Sequence, residues 1–316
     1  MEEKSGGLSF KELGERIAKL KKEKNALIMA HYYQRDEIQE IADFVGDSLA
    51  LARQAAKTNA DIIVMCGVHF MGETAKILCP DKKVLIPDMR AGCSLADSCN
   101  PEDFKEFLKK YPDHLVISYV NTSAAVKAMT DIVVTSGNAR QIVEKLPQEE
   151  KIIFGPDHNL GEYINSVTGR NMVLWKGACH VHDRFSLDKI MEMKKEHPGA
   201  KILVHPECKR PLQLIADKVG STAALLEFAE KDSSKEYIVV TESGILFEMR
   251  KKCPDKIFLA APGEDVECQC NECDYMKMNT LQKVYECLRD ETPEVNVDEA
   301  VAAKAVKSIE RMLEMS

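Results

Sequence analysis

IADFVGDSLALARQA, from Ile41 to Ala55, returns 174 positions on as IADKVGSTAALLEFA, from Ile215 to Ala229. The same offset pairs His31 with His205, Gly46 with Gly220, and the tetrapeptide CPDK at Cys79 with CPDK at Cys253. Working outward, an apolar run of buried-strand type (ALIMAH, KILVH) leads through a helical pattern to a second strand (DIIVMC, YIVVT) and a third (KVLIP, KIFLAAP). That alternation is βαβ grammar and predicts small parallel sheets flanked by helices. Near half of the offset lies another strand start, HLVISYVNTS, followed by DIVVTSGNA and KIIFGPDHN. Three related units are therefore expected, the middle one carrying only the short TSAAVKAM where the others have a long helical stretch. The expected divisions are a packing helix over 1–24, repeats over 25–110, 111–197 and 198–280, and helices over 281–316. Phe10, Leu13, Ile17 and Leu20 mark one face of the first helix; Val301, Ala305, Ile309 and Met312 mark one face of the last. No low-complexity linker separates the units, so they should sit tightly together.

A chain of 316 residues that is 45% hydrophobic can bury a large core. Its formal charge of -8 offers no electrostatic footprint for nucleic acid or an anionic membrane, and no apolar run approaches the roughly 20 residues of a membrane span. The amino terminus lacks a signal-peptide pattern, so a cytoplasmic protein with small-molecule partners is expected. Eleven cysteines in that setting point to metal binding or catalysis rather than a disulfide framework. Cys66, Cys79, Cys208, Cys253 and Cys287 read as buried small hydrophobes.

In parallel α/β sheets ligands bind beyond the carboxyl ends of the strands. Just past the first strand of each repeat stand His31 and Tyr33, Tyr119 and Asn121, His205 and Glu207; each pair is two apart, hence on one side of an extended chain. A second shared feature is a glycine followed by a hydroxyl residue, Gly46-Asp47-Ser48 and Gly220-Ser221-Thr222, with Thr135-Ser136 in the equivalent role. There a glycine is expected to end one helix and the hydroxyl to cap the next, presenting N–H groups to a carboxylate or phosphate.

Cys93 follows the third strand of repeat one, and the 174-residue offset carries it to position 267, beside Cys268, Cys270 and Cys273. Repeat two supplies one candidate, Cys179 in KGACHVHD. The CxxC at Cys270 and Cys273 fits zinc, a redox pair or an iron-sulfur ligand. A zinc ribbon would need a second CxxC, and the CxxxCxxC spacing of radical enzymes is absent. Three distant thiolates holding a cubane would leave one iron open as a Lewis acid, which suits a cluster-dependent lyase or condensing enzyme acting on a polycarboxylate. Repeat register alone does not choose among the three cysteines of the last cluster.

The motifs AHYYQ, GDSLALA, DMRAGCSLAD, SYVNTSA, KGACHVHD, VHPEC, TESGI and YMKMNTL, spread from about Ala26 to Leu281, make the sequence similar to the quinolinate synthase family. The resemblance implies three pseudo-symmetric αβα domains around a central active site. It also implies condensation of iminoaspartate with dihydroxyacetone phosphate to quinolinate, with loss of phosphate and two waters, in NAD biosynthesis. Carried over by motif, Cys93, Cys179 and Cys273 hold a 4Fe-4S cluster, the YMKMN match selecting Cys273. Tyr33 and Glu207 become the main proton-transfer groups, while His31, Tyr119, Asn121, His182 and His205 orient intermediates. Ser48, Thr135, Ser136, Ser221 and Thr222 hold carboxylates or phosphate. A functional contact with the enzyme that produces iminoaspartate is implied as well. Two departures stand out: Asp274 where many members have proline, and CxCxxC where some have an evenly spaced CxxCxxC suited to a redox disulfide. Other readings of the same residues are another 4Fe-4S hydro-lyase and a non-enzymatic iron-sulfur redox sensor.

Overall fold

The computed structural model describes residues 9–264 and 271–316. The described strands form three separate sheets of four, and every pairing within them is parallel. Sheet one holds β1 (Ala26–His31), β2 (Phe44–Gly46), β3 (Ile62–Cys66) and β4 (Lys83–Leu85) in the order 2-1-3-4. Sheet two holds β5 (Leu115–Tyr119), β6 (Ile132–Val134), β7 (Ile152–Gly155) and β8 (Val173–Leu174) in the order 6-5-7-8. Sheet three holds β9 (Lys201–Val204), β10 (Lys218–Val219), β11 (Glu236–Val240) and β12 (Ile257–Ala260) in the order 10-9-11-12. The expected α/β class with three sandwich units is borne out. In each sheet the strand order reverses beside the first strand, and a reversal of this kind opens a crevice at the strands' carboxyl ends.

One strand per unit escaped the sequence reading. β2, β8 and β10 are two or three residues long, too short to show a period-2 pattern. The omission displaced the middle repeat by one strand. DIVVT is β6, the counterpart of the short β2, and KIIFG is β7, the counterpart of β3.

The glycine-hydroxyl motif also differs from expectation. Gly46 closes a strand rather than a helix, and Gly220 follows β10 directly. A Cβ at Gly46 would meet the Ala50 Cβ at 2.9 Å and the Phe44 ring at 3.0 Å; at Gly220 it would meet the Ala224 Cβ at 3.0 Å. Glycine is needed there for close packing of strand on helix. Asp47, not Ser48, caps the helix Ser48–Lys57 by accepting the Ala50 N–H, and Ser221 caps Thr222–Lys231 through the Ala224 N–H. In repeat two the helix starts later, at Ala139, with Asn138 before it.

The largest apolar cluster runs from sheet one into sheet two, through Met29, Phe70, Ile117 and Val133, and reaches Ile309 of the last helix. Repeats one and two thus share a core. Sheet three has its own clusters, one around Leu203 and Val239, another around Ile202 and Ile238. The terminal helix Glu299–Met315 buries Ala305, Ile309 and Met312 against repeat two. The first helix, Phe10–Glu23, buries Leu13 and Ile17, while Phe10 stays 47% exposed and falls off the packed face. No helix among the described residues is long and apolar enough to cross a membrane.

Candidate functional site

The carboxyl ends of the three sheets face one cavity. His31, Tyr33, Ser48, Cys93, Tyr119, Asn121, Thr135, Ser136, Cys179, His182, His205, Glu207, Thr222 and Cys273 all line it. Of the candidate catalytic, substrate and cluster residues, Ser221 alone is not among the lining residues, its hydroxyl being occupied in capping. Cys268 and Cys270, with the disulfide their spacing raised, lie outside the described residues.

Each cavity cysteine follows the last strand of its repeat and immediately precedes a four-residue helix. Cys93 precedes Ser94–Asp97, Cys179 precedes His180–Asp183 and Cys273 precedes Asp274–Lys277. Burial pushes the Cys93 thiol up to about 12 and the Cys273 thiol to about 11, and raises Cys179 as well. Backbone N–H groups of the following turn oppose this at all three sulfurs, though none closes a capping hydrogen bond. The backbone N–H of Cys179 donates to Asp157 Oδ2 at 2.9 Å, and that of Cys273 to Glu242 Oε1 at 3.1 Å. Cys66, Cys79, Cys208, Cys253 and Cys287 are buried, as expected. Cys79 and Cys208 donate their thiols to backbone carbonyls.

A path of polar contacts crosses the cavity wall and draws on all three repeats. The Tyr119 hydroxyl donates to Glu207 Oε1 at 2.5 Å. Glu207 Oε2 lies 3.0 Å from His182 Nδ1, close enough for charge attraction but without the alignment of a hydrogen bond. His182 Nε2 meets Thr241 Oγ1 at 2.9 Å, and Thr241 Oγ1 meets the Tyr33 hydroxyl at 2.7 Å. The Tyr33 hydroxyl also bonds Thr222 Oγ1 at 2.6 Å. Burial alone would raise the Glu207 carboxyl; the adjoining His182 and the Tyr119 hydroxyl outweigh this and hold it below the usual carboxylate range. Burial raises both Tyr33 and Tyr119 well above the usual phenol value, so both are protonated donors.

The repeat is visible down to tautomers. Tyr33 N–H donates to His31 Nδ1 at 3.1 Å, and Glu207 N–H to His205 Nδ1 at 3.4 Å. An Nδ1 that accepts leaves the ring proton on Nε2. Burial holds both imidazoles neutral, down to about 3. His205 stacks on His182 with ring centroids 4.4 Å apart.

Several wall residues had no role in the sequence reading. Glu242 is fully buried, ion-pairs with Lys277 at 3.1 Å, and is raised by burial to about 7. Lys277 also donates to the Tyr33 carbonyl at 2.9 Å. Asp157 and Glu242 each stand two residues past the strand next to the first one, β7 and β11, where repeat one has Val68. The strand-end rule applied to those strands as well would have found them. Ser94 and His180 join across two repeats at 2.6 Å, Ser94 Oγ to His180 Nδ1. Cys179, His182 and Glu207 have ligand atoms within 4.8 Å of one another and could hold a metal ion.

Three α/β repeats that converge thiols, hydroxyls, imidazoles and a buried carboxylate on one cavity define an enzyme with a central active site. The model of the family described as quinolinate synthetase A protein matches residues 15–314. A quinolinate synthase of Microcystis aeruginosa is 57% identical over 300 residues, 95% of this chain and 94% of the relative. Those of Chloroherpeton thalassium and Cyanophora paradoxa are each 53% identical, over 309 and 308 residues, covering 98% of this chain and 96% and 93% of theirs. The chain belongs to the quinolinate synthase family.

Proposed function

We propose that the protein condenses iminoaspartate with dihydroxyacetone phosphate to quinolinate, releasing phosphate and two waters, as a cytoplasmic step of NAD biosynthesis. One observation carries the reading: each repeat delivers a thiol, a strand-end pair and a hydroxyl to the same cavity. The family membership supports it.

The donor set fits a 4Fe-4S cluster. Cys93, Cys179 and Cys273 come from three separate sheets to one space, and among the described residues none of them donates its thiol as Cys79 and Cys208 do. Burial makes their thiolates costly unless a cation shares the site. When bound, a cluster held by three cysteines supplies a Lewis-acidic iron with no protein ligand.

The chain's own groups then divide the work. Ser48, Ser136 and Thr222 offer hydroxyls at equivalent places and suit the carboxylates and phosphate of the substrates. Thr135 turns its oxygen to the Gly137 N–H at 3.2 Å, which leaves it a supporting part, as capping does for Ser221. Glu207, ionised, accepts protons; Tyr33 and Tyr119 donate or relay them. His31 and His205 are neutral Nε2–H donors that orient oxygens without adding charge. His182 links Glu207 to Thr241 and so to Tyr33. Asn121 adds an amide to the wall.

The test is anaerobic reconstitution with iron and sulfide, then assay for quinolinate from iminoaspartate and dihydroxyacetone phosphate. Quinolinate should form only with both substrates, and Cys179→Ser should lose the cluster's visible absorbance. An intact cluster with no quinolinate overturns the reading.

A further inference from the structure

Each strand-end pair is followed, six residues after its second member, by a buried side chain that donates back to the carbonyls on either side of that member. In repeat one, Gln39 Nε2 donates to the carbonyls of Tyr32 and Gln34 at 3.0 and 2.9 Å, the neighbours of Tyr33. In repeat two, Lys127 Nζ donates to the carbonyl of Val120 at 2.8 Å and to that of Thr122, the neighbours of Asn121. In repeat three, Gln213 Nε2 donates to the carbonyls of Pro206 and Cys208 at 2.9 and 2.7 Å, the neighbours of Glu207. All three donors are buried, with exposures of 1%, 0% and 6%.

We propose that Gln39, Lys127 and Gln213 are positioning residues that clamp the backbone on both sides of Tyr33, Asn121 and Glu207 and so aim these side chains into the cavity. The clamp rests on the reading of the cavity as the active site. Its physical reason is local. The chain leaves the ladder after β1, β5 and β9, so the carbonyls just beyond lack a strand partner, Val120 alone of the six accepting a backbone N–H, that of Thr122 at 2.8 Å. One side chain with at least two N–H groups satisfies both carbonyls and removes the freedom of the peptide units flanking the reacting residue. The two glutamines share the 174-residue offset of the repeat. Repeat two solves the same problem with an ammonium, which also faces the ring of Phe70, a wall residue, at 5.3 Å. Gln39 Nε2 also lies 2.9 Å from the Gly244 carbonyl, so its two hydrogens are shared among three acceptors and tie repeat one to repeat three. Asn159 Nδ2 supports Glu207 from another side by donating to its carbonyl at 3.0 Å.

The experiment compares reconstituted holoenzymes carrying Gln39→Leu, Lys127→Met or Gln213→Leu, which keep an apolar stem and remove the donors, with Lys127→Gln, which installs the donor the other repeats use. The donorless variants should lose kcat per assembled cluster by about 10- to 100-fold, with KM for dihydroxyacetone phosphate changed by less than about threefold. Hydrogen exchange should quicken only in the strand-end segment of the altered repeat. Lys127→Gln should recover kcat to within about fivefold of wild type. The proposal is overturned if the donorless variants keep kcat per cluster within about twofold, or if Lys127→Gln is as impaired as Lys127→Met. Should a donorless variant not fold, exchange in Lys127→Gln decides: wild-type protection over residues 120–122 supports the clamp, and its loss overturns it. Wild-type holoenzyme that makes no quinolinate would overturn the proposed reaction instead, while local exchange still reads the clamp.

Discussion

Repeats one and three place an imidazole, locked by the backbone two residues on, at or just past the end of their first strand; repeat two ends its first strand on a phenol that reaches into repeat three. The carboxylates beside the cysteines divide differently, with Asp157 and Glu242 serving repeats two and three and Val68 standing in repeat one. What all three units share is positional: the strand order, the strand-end register, the cysteine after the last strand, the hydroxyl facing the cavity. What differs is the group offered to the reacting atoms. A symmetric frame thus serves an asymmetric reaction, and bonds that cross between repeats join the two.

The largest expected effect breaks that crossing. Glu207→Gln removes the anion that binds Tyr119 and His182 and should lower kcat by about 10³-fold with cluster content unchanged. Tyr119→Phe removes only one donor to that anion and should cost less, about 10-fold to 100-fold. Steady-state assays normalised to cluster absorbance check both, and equal losses would mean that the crossing bond, rather than the carboxylate, is the acting unit.

The next effect is on stability. Gly46→Ala should destabilise by about 1–3 kcal/mol, since the added Cβ meets both Ala50 and Phe44, and Gly220→Ala by less, with Ala224 alone close by. In repeat two Val134 ends the corresponding strand, so glycine is a requirement of the outer repeats only. Urea unfolding of the two variants measures the difference.

The smallest effect concerns how the loop before Cys93 is held. Asp88 binds Arg90 and receives Lys283 Nζ at 2.7 Å, a tie from repeat one to the helix Leu281–Asp290. The loop before Cys179 depends instead on Trp175 Nε1 donating to the Ser98 carbonyl at 3.1 Å. Arg90, and Lys283 against the opposing effect of burial, hold the Asp88 carboxyl well below the usual range. A depressed carboxylate contributes stability above its unfolded pKa, and that contribution fades as pH falls toward the folded one. Asp88→Asn should therefore cost about 1 kcal/mol at pH 7, and its gap from wild type should narrow as pH falls from about 5 toward 2. A gap that widened on acidification would exclude the ionic tie.

Much of this was legible in the residues themselves. Apolar runs of buried-strand type announced the parallel sheets, and the repeated offset announced the symmetry. The short strands β2, β8 and β10 gave no such run, so the middle repeat was read one strand out of register, and Asp157 was not recognised as the partner of Glu242. Ser48 and Asp47 exchange roles for a similar reason: sequence shows a capping motif, but backbone geometry decides which of two adjacent polar residues caps. Cys273 gains a structural argument, since like Cys93 and Cys179 it immediately precedes a four-residue helix after the last strand of its repeat.

The three cysteines follow three different sheets, and the last of them comes after the twelfth strand. The core shared by the first two repeats also takes Ala305, Ile309 and Met312 of the last helix, so neither that core nor the site is complete until the chain beyond Cys273 has been made. Loading of the proposed cluster would therefore follow folding of the chain through its last helix, and a ribosome-bound intermediate ending before Cys273 should stay colourless on anaerobic treatment with iron and sulfide.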